Sequence, residues 1–339
     1  MVNFERINLD SLDWERQLQN FPDRTVFQTP AWLSFVVKTQ GAEPVLAALR
    51  DGQETLGYFT GLIIQKFRFR ILGSPFPGWT TSYMGLCLRH GTSRRRAIEA
   101  LTRFAFEDLG CIHVEIMDRH LTVNELSGLG FAHRIVKGFE VDLTPSEDRI
   151  FAKMSKSCRW TIRKAERNGV VIEEAHDLDF ADEYYAQLRD VFAKQSLAPT
   201  YTVERVRELI RQVHPSGMLL LLRARDPHGR CIATGLFPAA NQTMYFWGGA
   251  SWRQHQRLLP NEAIQWYAIK YWKKRGICSY DMNGSGDYKR KYGGVEIAVP
   301  WFRKSKYQSI SSLRNFAHKV VKTRQVILGK WQNSIGSQV

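Results

Sequence analysis

The chain has 339 residues, 44% hydrophobic and 24% charged, which is the composition of an ordinary globular protein long enough for about two domains. Lys and Arg outnumber Asp and Glu by 48 to 33, a formal charge of +15, so polyanionic partners are favoured: nucleic acid, phosphate-bearing cofactors or anionic lipid headgroups. Five scattered cysteines without a CxxC pair support neither a zinc ribbon nor a disulfide framework. Together with a charged first segment and no long apolar run, they lead us to expect a cytoplasmic protein.

In chain order, residues 12–18 read as a short helical lead-in. Thr29 is a natural N-cap with Pro30 at the first helical position, followed by a helix over 31–39. Strands are expected at 44–49 and 56–66, joined by the turn dipeptide Asp51-Gly52, and further strands at 69–72 and 83–87. Residues 93–109 carry Ala97, Leu101, Phe104, Ala105 and Leu109 at helical spacing, and Gly110 closes that helix. A strand follows at 111–116, then a short helix at 124–129 and one or two strands over 131–143. The second half repeats this order: helices at 180–194 and 203–213, strands at 217–225, 231–239 and 243–250, a helix at 261–275 and strands at 277–282 and 295–302. Two similar α+β units in tandem account for it most simply.

Between the halves, residues 147–168 are expected to form one helix. At 100° per residue, Lys156, Arg159, Arg163 and Arg167 share a narrow sector, extended by Lys153, Trp160 and Lys164, while Met154, Cys158, Ile162 and Ala165 lie opposite. Glu166 is the only acid from Lys153 to Arg167. A solvated face mixes signs, so this one is expected to meet phosphate. The tail, 309–339, has the spacing of a basic amphipathic helix, which either docks on the body or lies on an anionic membrane surface.

Several chemistries are absent from the sequence: a P-loop, HExxH, a GxSxG elbow, and the PCxxC that would complete a deaminase site at His113-Val114-Glu115. Nothing argues for a metal or a covalent nucleophile. The stretch 276–307 suits group transfer: an apolar strand runs into Asp281, Asn283, Ser285 and Asp287, then Tyr288-Lys289-Arg290-Lys291-Tyr292-Gly293-Gly294 and a second strand. Acyl transfer to an amine passes through a tetrahedral oxyanion, and one positioned donor there is worth roughly 3 kcal/mol. Lys289 would supply that charge, and Asp281 would accept the amine proton or orient the amine. Arg290 and Lys291 read as solvated neighbours.

Several motifs in order resemble the Fem-type transferases of the GNAT acyl-CoA N-acyltransferase superfamily. Phe139-Glu140-Val141-Asp142-Leu143 and Ser157-Cys158-Arg159-Trp160-Thr161-Ile162-Arg163-Lys164-Ala165 are similar to its VDL…RR-x-I-RKA segment. Gly249-Ala250-Ser251, Tyr280-Asp281-Met282-Asn283-Gly284 and Tyr288-Lys289-Arg290-Lys291-Tyr292-Gly293 are similar to its GAS…YD-x-x-G…FK-x-x-FG signature, with tyrosines in place of both phenylalanines. The resemblance implies two tandem GNAT-like domains, 1–145 and 146–308, before the tail helix 309–339. It implies amide-forming transfer from an acyl-CoA, an acyl carrier or an aminoacyl-tRNA to an amine of a cell-envelope precursor or small metabolite, with the transition state stabilised by Lys289. The coiled-coil hairpin insertion found in some tRNA-using members is missing, and the acetyltransferase pyrophosphate loop is not intact at Gln254–Asn261.

The expected site is therefore Lys289, Asp281 and Asn283 for the chemistry, with Lys156, Arg159, Arg163, Trp160, Tyr288 and Tyr292 holding substrate or donor phosphate. No tightly bound cofactor or metal is expected, and contact with tRNA, an acyl carrier protein or the inner face of an anionic membrane is consistent with the charge. The competing class is a non-catalytic protein that uses the basic groove for nucleic acid or anionic lipid.

Overall fold

In the structure, a computed structural model, Thr29 Oγ1 accepts from the Trp32 amide at 3.3 Å and Pro30 opens the helix, as their residue types predict. Residues 2–8, 13–66, 68–194 and 196–307 are described; the expected tail helix, 309–339, lies outside them. The elements are β1 (Asn3–Ile7), α1 (Trp14–Leu18), α2 (Pro30–Gln40), β2 (Glu43–Asp51), β3 (Glu54–Lys66), β4 (Phe69–Ser74), β5 (Leu86–Leu88), α3 (Arg94–Arg103), β6 (Cys111–Met117) and β7 (Ala132–Asp142). They continue with α4 (Glu147–Lys153), α5 (Lys156–Arg167), β8 (Val171–Glu174), α6 (Asp179–Ala193), α7 (Val203–Val213), β9 (Leu219–Arg225), β10 (Cys231–Ala240), β11 (Thr243–Tyr245), β12 (Gly248–Ser251), α8 (Pro260–Lys273), β13 (Ser279–Asp281) and β14 (Val295–Ser305).

Among the described residues the chain divides into two units, 1–137 with 298–307, and 138–297. The divisions fall inside β7 and β14 rather than at the positions 145 and 308 expected from the sequence. In the first unit β1, β2, β3 and β4 pair antiparallel in sequence order, β4 pairs parallel with β6, and β6 pairs antiparallel with the end of β14. Ala97, Ile98, Leu101 and Ala105 pack with Val45, Phe59 and Val114 in its core. The helix expected at 124–129 is instead a run of turns. Its amides reach back three residues, Ser127 to Asn124 and Leu129 to Leu126, and Gly128 and Gly130 take φ of +79° and +71°, which no right-handed helix accommodates.

In the second unit the order is β7, β13, β11, β10, β9, β8, with β12 on β10. β11 and β13 run parallel and the remaining pairs are antiparallel. Two expectations change here. Residues 147–168 form two helices, because Met154 is extended (ψ 150°) and Ser155 starts afresh: its Oγ accepts from the Cys158 amide at 3.1 Å, and its own amide donates to Lys291 O at 2.8 Å. Residues 243–250 form two short strands rather than one. The predicted apolar face of α5 is buried: Cys158, Ile162 and Ala165 pack with α8 residues Ala268 and Trp272 and with Leu222 and Phe237 of the sheet.

Candidate active site

The site grows from the end of β13. Tyr280 and Asp281 pair with Met244 and Tyr245 of β11 on one side and with Val141 and Glu140 of β7 on the other. Beyond Tyr245 the sheet divides: β12 stays on β10, whereas β13 ends at Asp281. The turn at the fork is pinned to both neighbours. Phe246 N donates to Asp281 O (3.0 Å), Asn283 Nδ2 donates to Phe246 O (3.1 Å), and Met282 N donates to Phe139 O (2.8 Å). Asp281, fully buried, accepts the Asn283 amide at 2.8 Å. Asn283 and Gly284 take φ of +50° and +62°, a reversal that asparagine and glycine tolerate best.

That reversal leads into a 3-10 turn, Asp287–Tyr292, which carries Lys289 inward. The Lys289 ammonium donates to Asn283 O, with Gly284 O 3.4 Å away. Only 7% of Lys289 is exposed, and loss of water around the charge draws its pKa from 10.5 down to about 8, against the opposing pull of the Asp281 carboxylate. Its charge is therefore present at neutral pH and removable just above it. Gly293 ends the turn at φ +79°, and a Cβ there would stand 3.0 Å from Lys153 O.

Beside the turn lies a cavity of about 260 Å³, walled by β10, β12, the first turns of α8, and Tyr288 and Lys291 of the 3-10 turn. Its polar side chains include Thr234, Ser251, Asn261, Glu262 and Gln265. Gln265 accepts the Tyr280 hydroxyl proton, and Lys291 Nζ donates to Glu262 Oε1. Gly235 allows close packing in the wall, since a Cβ there would meet the Phe237 ring at 2.6 Å and Ile264 at 2.8 Å. Lys289 is not a wall residue; its Nζ lies 5.7 Å from the centre of the Tyr288 ring, which is.

The residues singled out in the sequence thus fall into distinct surroundings. Lys289, Asp281 and Asn283 come together at the fork. Tyr288 is 55% exposed at the cavity rim, whereas Tyr292 is buried in the core with Cys158 and Ile162. Lys156, Arg159, Trp160 and Arg163 line a separate groove on the outer face of α5 with Glu166 and Arg167. Two of its cations have duties within the protein: Arg159 Nη1 donates to Ala152 O (2.5 Å) and Met154 O (3.1 Å), closing α4, and the Arg163 guanidinium sits 5.2 Å from the Phe151 ring centre. Trp160, 55% exposed, is the aromatic on that face. Arg290 is exposed beside Glu296, as expected of a solvated neighbour. Lys291 is not one: it is partly buried, ion-paired with Glu262, and part of the cavity wall. Glu262 and Gln265 lie three apart in the opening turns of α8, a spacing visible in the sequence that places both on one side of the helix.

Residues 152–292 match the family model described as an acetyltransferase (GNAT) domain. The fold of about nine-tenths of the chain is shared with solved structures at low identity. FemX superposes with a TM-score of 0.75 at 14% identity, covering 91% of this chain and 99% of that one. A tandem GNAT protein from the clavulanic acid biosynthesis pathway gives 0.55 at 10% identity, over 90% and 98%. L-PGS from Bacillus licheniformis gives 0.54 at 11% identity, over 88% and 98%. A comparison with curated proteins finds no match. Residues 152–292 are thus matched as a GNAT domain, and the chain shares the tandem architecture and the FemX-like fold that its motifs implied. Among the described residues, no helix is long and apolar enough to cross a membrane.

Proposed function

We propose that the chain is a Fem-like N-acyltransferase or aminoacyltransferase that forms an amide on an amine of a cell-envelope precursor or small metabolite. The observation that carries this reading is Lys289: a desolvated ammonium with a pKa near 8, at the fork of a sheet that opens onto a polar cavity within the GNAT-matched segment. The acceptor nitrogen attacks the donor's acyl carbon and the C–N bond forms. The carbonyl oxygen becomes an oxyanion facing the Lys289 ammonium, which lies beside the Tyr288 ring. The bond to the carrier's sulfur or oxygen then breaks, and the carrier leaves carrying a proton lost by the amine. A charge already stripped of water needs no reorganisation as the oxyanion develops, which is why such a group accelerates this step.

In this scheme Asp281 and Asn283 are positioning residues. Asp281 is sealed from solvent and fixes the turn whose carbonyls aim Lys289. Tyr292 supports the turn from the core. Lys156, Arg159, Arg163 and Trp160 meet the phosphates of the donor, whether acyl-CoA, acyl carrier or aminoacyl-tRNA. The place of work we propose is the cytoplasm, at the inner membrane face. The test is thermal unfolding with a panel of donors followed by mass analysis of an amine acceptor. A true donor raises the melting temperature in a concentration-dependent way and adds one acyl mass to the acceptor. If no donor does either, the reading fails.

A further inference from the structure

One pair of opposite charges in the cavity wall has no part in the scheme above. Glu262 stands in the first turn of α8 and Lys291 on the 3-10 turn; their side chains are 14% and 30% exposed, and the ammonium donates to the carboxylate. Among the described residues that line the cavity these two alone carry charge; Gln256, Asn261 and Gln265 beside them are neutral. The start of a helix ordinarily attracts an anion through its free amides. At α8 that attraction is met from within. Pro260, the first helical residue, has no N–H to offer. Glu262 sets its own carboxylate in the first turn, where the helix dipole favours a negative charge. Lys291 in turn cancels the carboxylate. A phosphate entering the cavity would therefore find no net charge on its side chains. It could reach Lys291 only by leaving Glu262 partly buried without a counter-ion, which is costly. An uncharged guest disturbs neither partner, and Val191, Phe246 and Ile264 give it an apolar wall. The volume of about 260 Å³ lies below the ~300–1,000 Å³ of pockets for drug-sized ligands, so the cavity holds only part of a donor.

We infer that this cavity receives the acyl group and the uncharged end of the linker joining it to its carrier, and that Glu262, by holding Lys291, is the residue that keeps the donor's phosphates out. The inference rests on the amide-forming reading and narrows the donor it uses. The donor's charged part begins beyond an uncharged stretch, outside the cavity, where the cations of the α5 groove are proposed to meet it. The segment Gln254–Asn261, where an acetyltransferase would carry its pyrophosphate loop, thus flanks the donor without holding a pyrophosphate.

The test is calorimetric titration of the intact protein with inorganic pyrophosphate, comparing the unaltered chain with Glu262→Gln and with the double variant Glu262→Gln, Lys291→Met. Glu262→Gln frees Lys291 and is expected to bind pyrophosphate about tenfold more tightly, or better, than the unaltered protein. That gain should vanish in the double variant, which places it in the cavity rather than on α5. The double variant removes both charges together, the change that a withdrawn pair tolerates best, and should bind pyrophosphate within about threefold of the unaltered protein. No gain in Glu262→Gln, or a gain that survives the loss of Lys291, would overturn the inference. So would a tenfold loss in the double variant, because Lys291 would then already be holding phosphate; this arm decides the matter if Glu262→Gln alone does not fold. No turnover is measured, so a negative result leaves the amide-forming reading standing, whereas absence of amide product with every donor would count against that reading alone.

Discussion

Lys289 keeps an ammonium where water is scarce, and that tension is measurable in two directions. In the folded protein its pKa is about 8, below its ordinary 10.5, so between those values the unfolded chain binds the proton and the folded chain does not. Stability contributed at this position therefore rises as pH increases from 8 towards 10.5. The shift of 2.5 units, 10.5 minus 8, corresponds to an upper bound of about 3 kcal/mol. The chemistry runs the other way, because the oxyanion needs the charged form: turnover should fall as pH passes through 8. Lys289→Met is expected to lower turnover ~100-fold or more, by analogy with removal of an oxyanion donor. It should also flatten the rise in stability seen by urea unfolding between pH 8 and 10. A variant that turns over normally, or keeps the same alkaline rise, would remove Lys289 from the account. Gly293→Ala tests the same turn through its backbone. With φ at +79° and Lys153 O 3.0 Å from the new Cβ, it should destabilise by ~1–3 kcal/mol in the same urea titration.

At the scale of elements, the break between α4 and α5 matters most. Ser155 both caps α5 and ties it to Lys291, so the outer cationic helix and the turn carrying Lys289 share an anchor. Ser155→Ala should cost about 1 kcal/mol as a lost N-cap. Ser155→Pro, which removes the amide donated to Lys291 O, should lower turnover below that of Ser155→Ala, which keeps it; equal turnover of the two variants would show that the anchor plays no part in the site.

Much of this architecture was legible beforehand for identifiable reasons. The apolar spacing of 158, 162 and 165 fixed the buried side of α5, and Thr29-Pro30 fixed the start of α2. The strand 217–225 read correctly because its apolar run is continuous. Arg223, the charge inside that run, is neutralised by Asp177 at 2.6 Å and by Glu183. Other features lay beyond local pattern. The Ser155 amide, left outside α5, finds its acceptor in the carbonyl of Lys291, distant in sequence. The interruption of 243–250 depends on β13 ending where it does. Glu262 and Lys291 are 29 residues apart, and only folding makes them a pair. The expected site residues split for the same reason: Lys289, Asp281 and Asn283 are close in sequence and meet at one fork, whereas the α5 cations face their own groove.

For the whole molecule, the excess of 15 positive charges and the groove on α5 bear on which donor is used. Phosphate contacts made by exposed cations weaken with salt. Raising salt from 50 to 300 mM should therefore increase the concentration of donor needed for half-maximal shift in melting temperature. The most direct test of the central claim is a single-turnover reaction followed by mass spectrometry, with the donor identified by thermal shift and an amine as acceptor. The account predicts a product heavier by one acyl group and linked through an amide, formed by the unaltered protein and reduced ~100-fold in Lys289→Met at unchanged fold. Equal product from Lys289→Met, or no amide product with any activated donor, would contradict it.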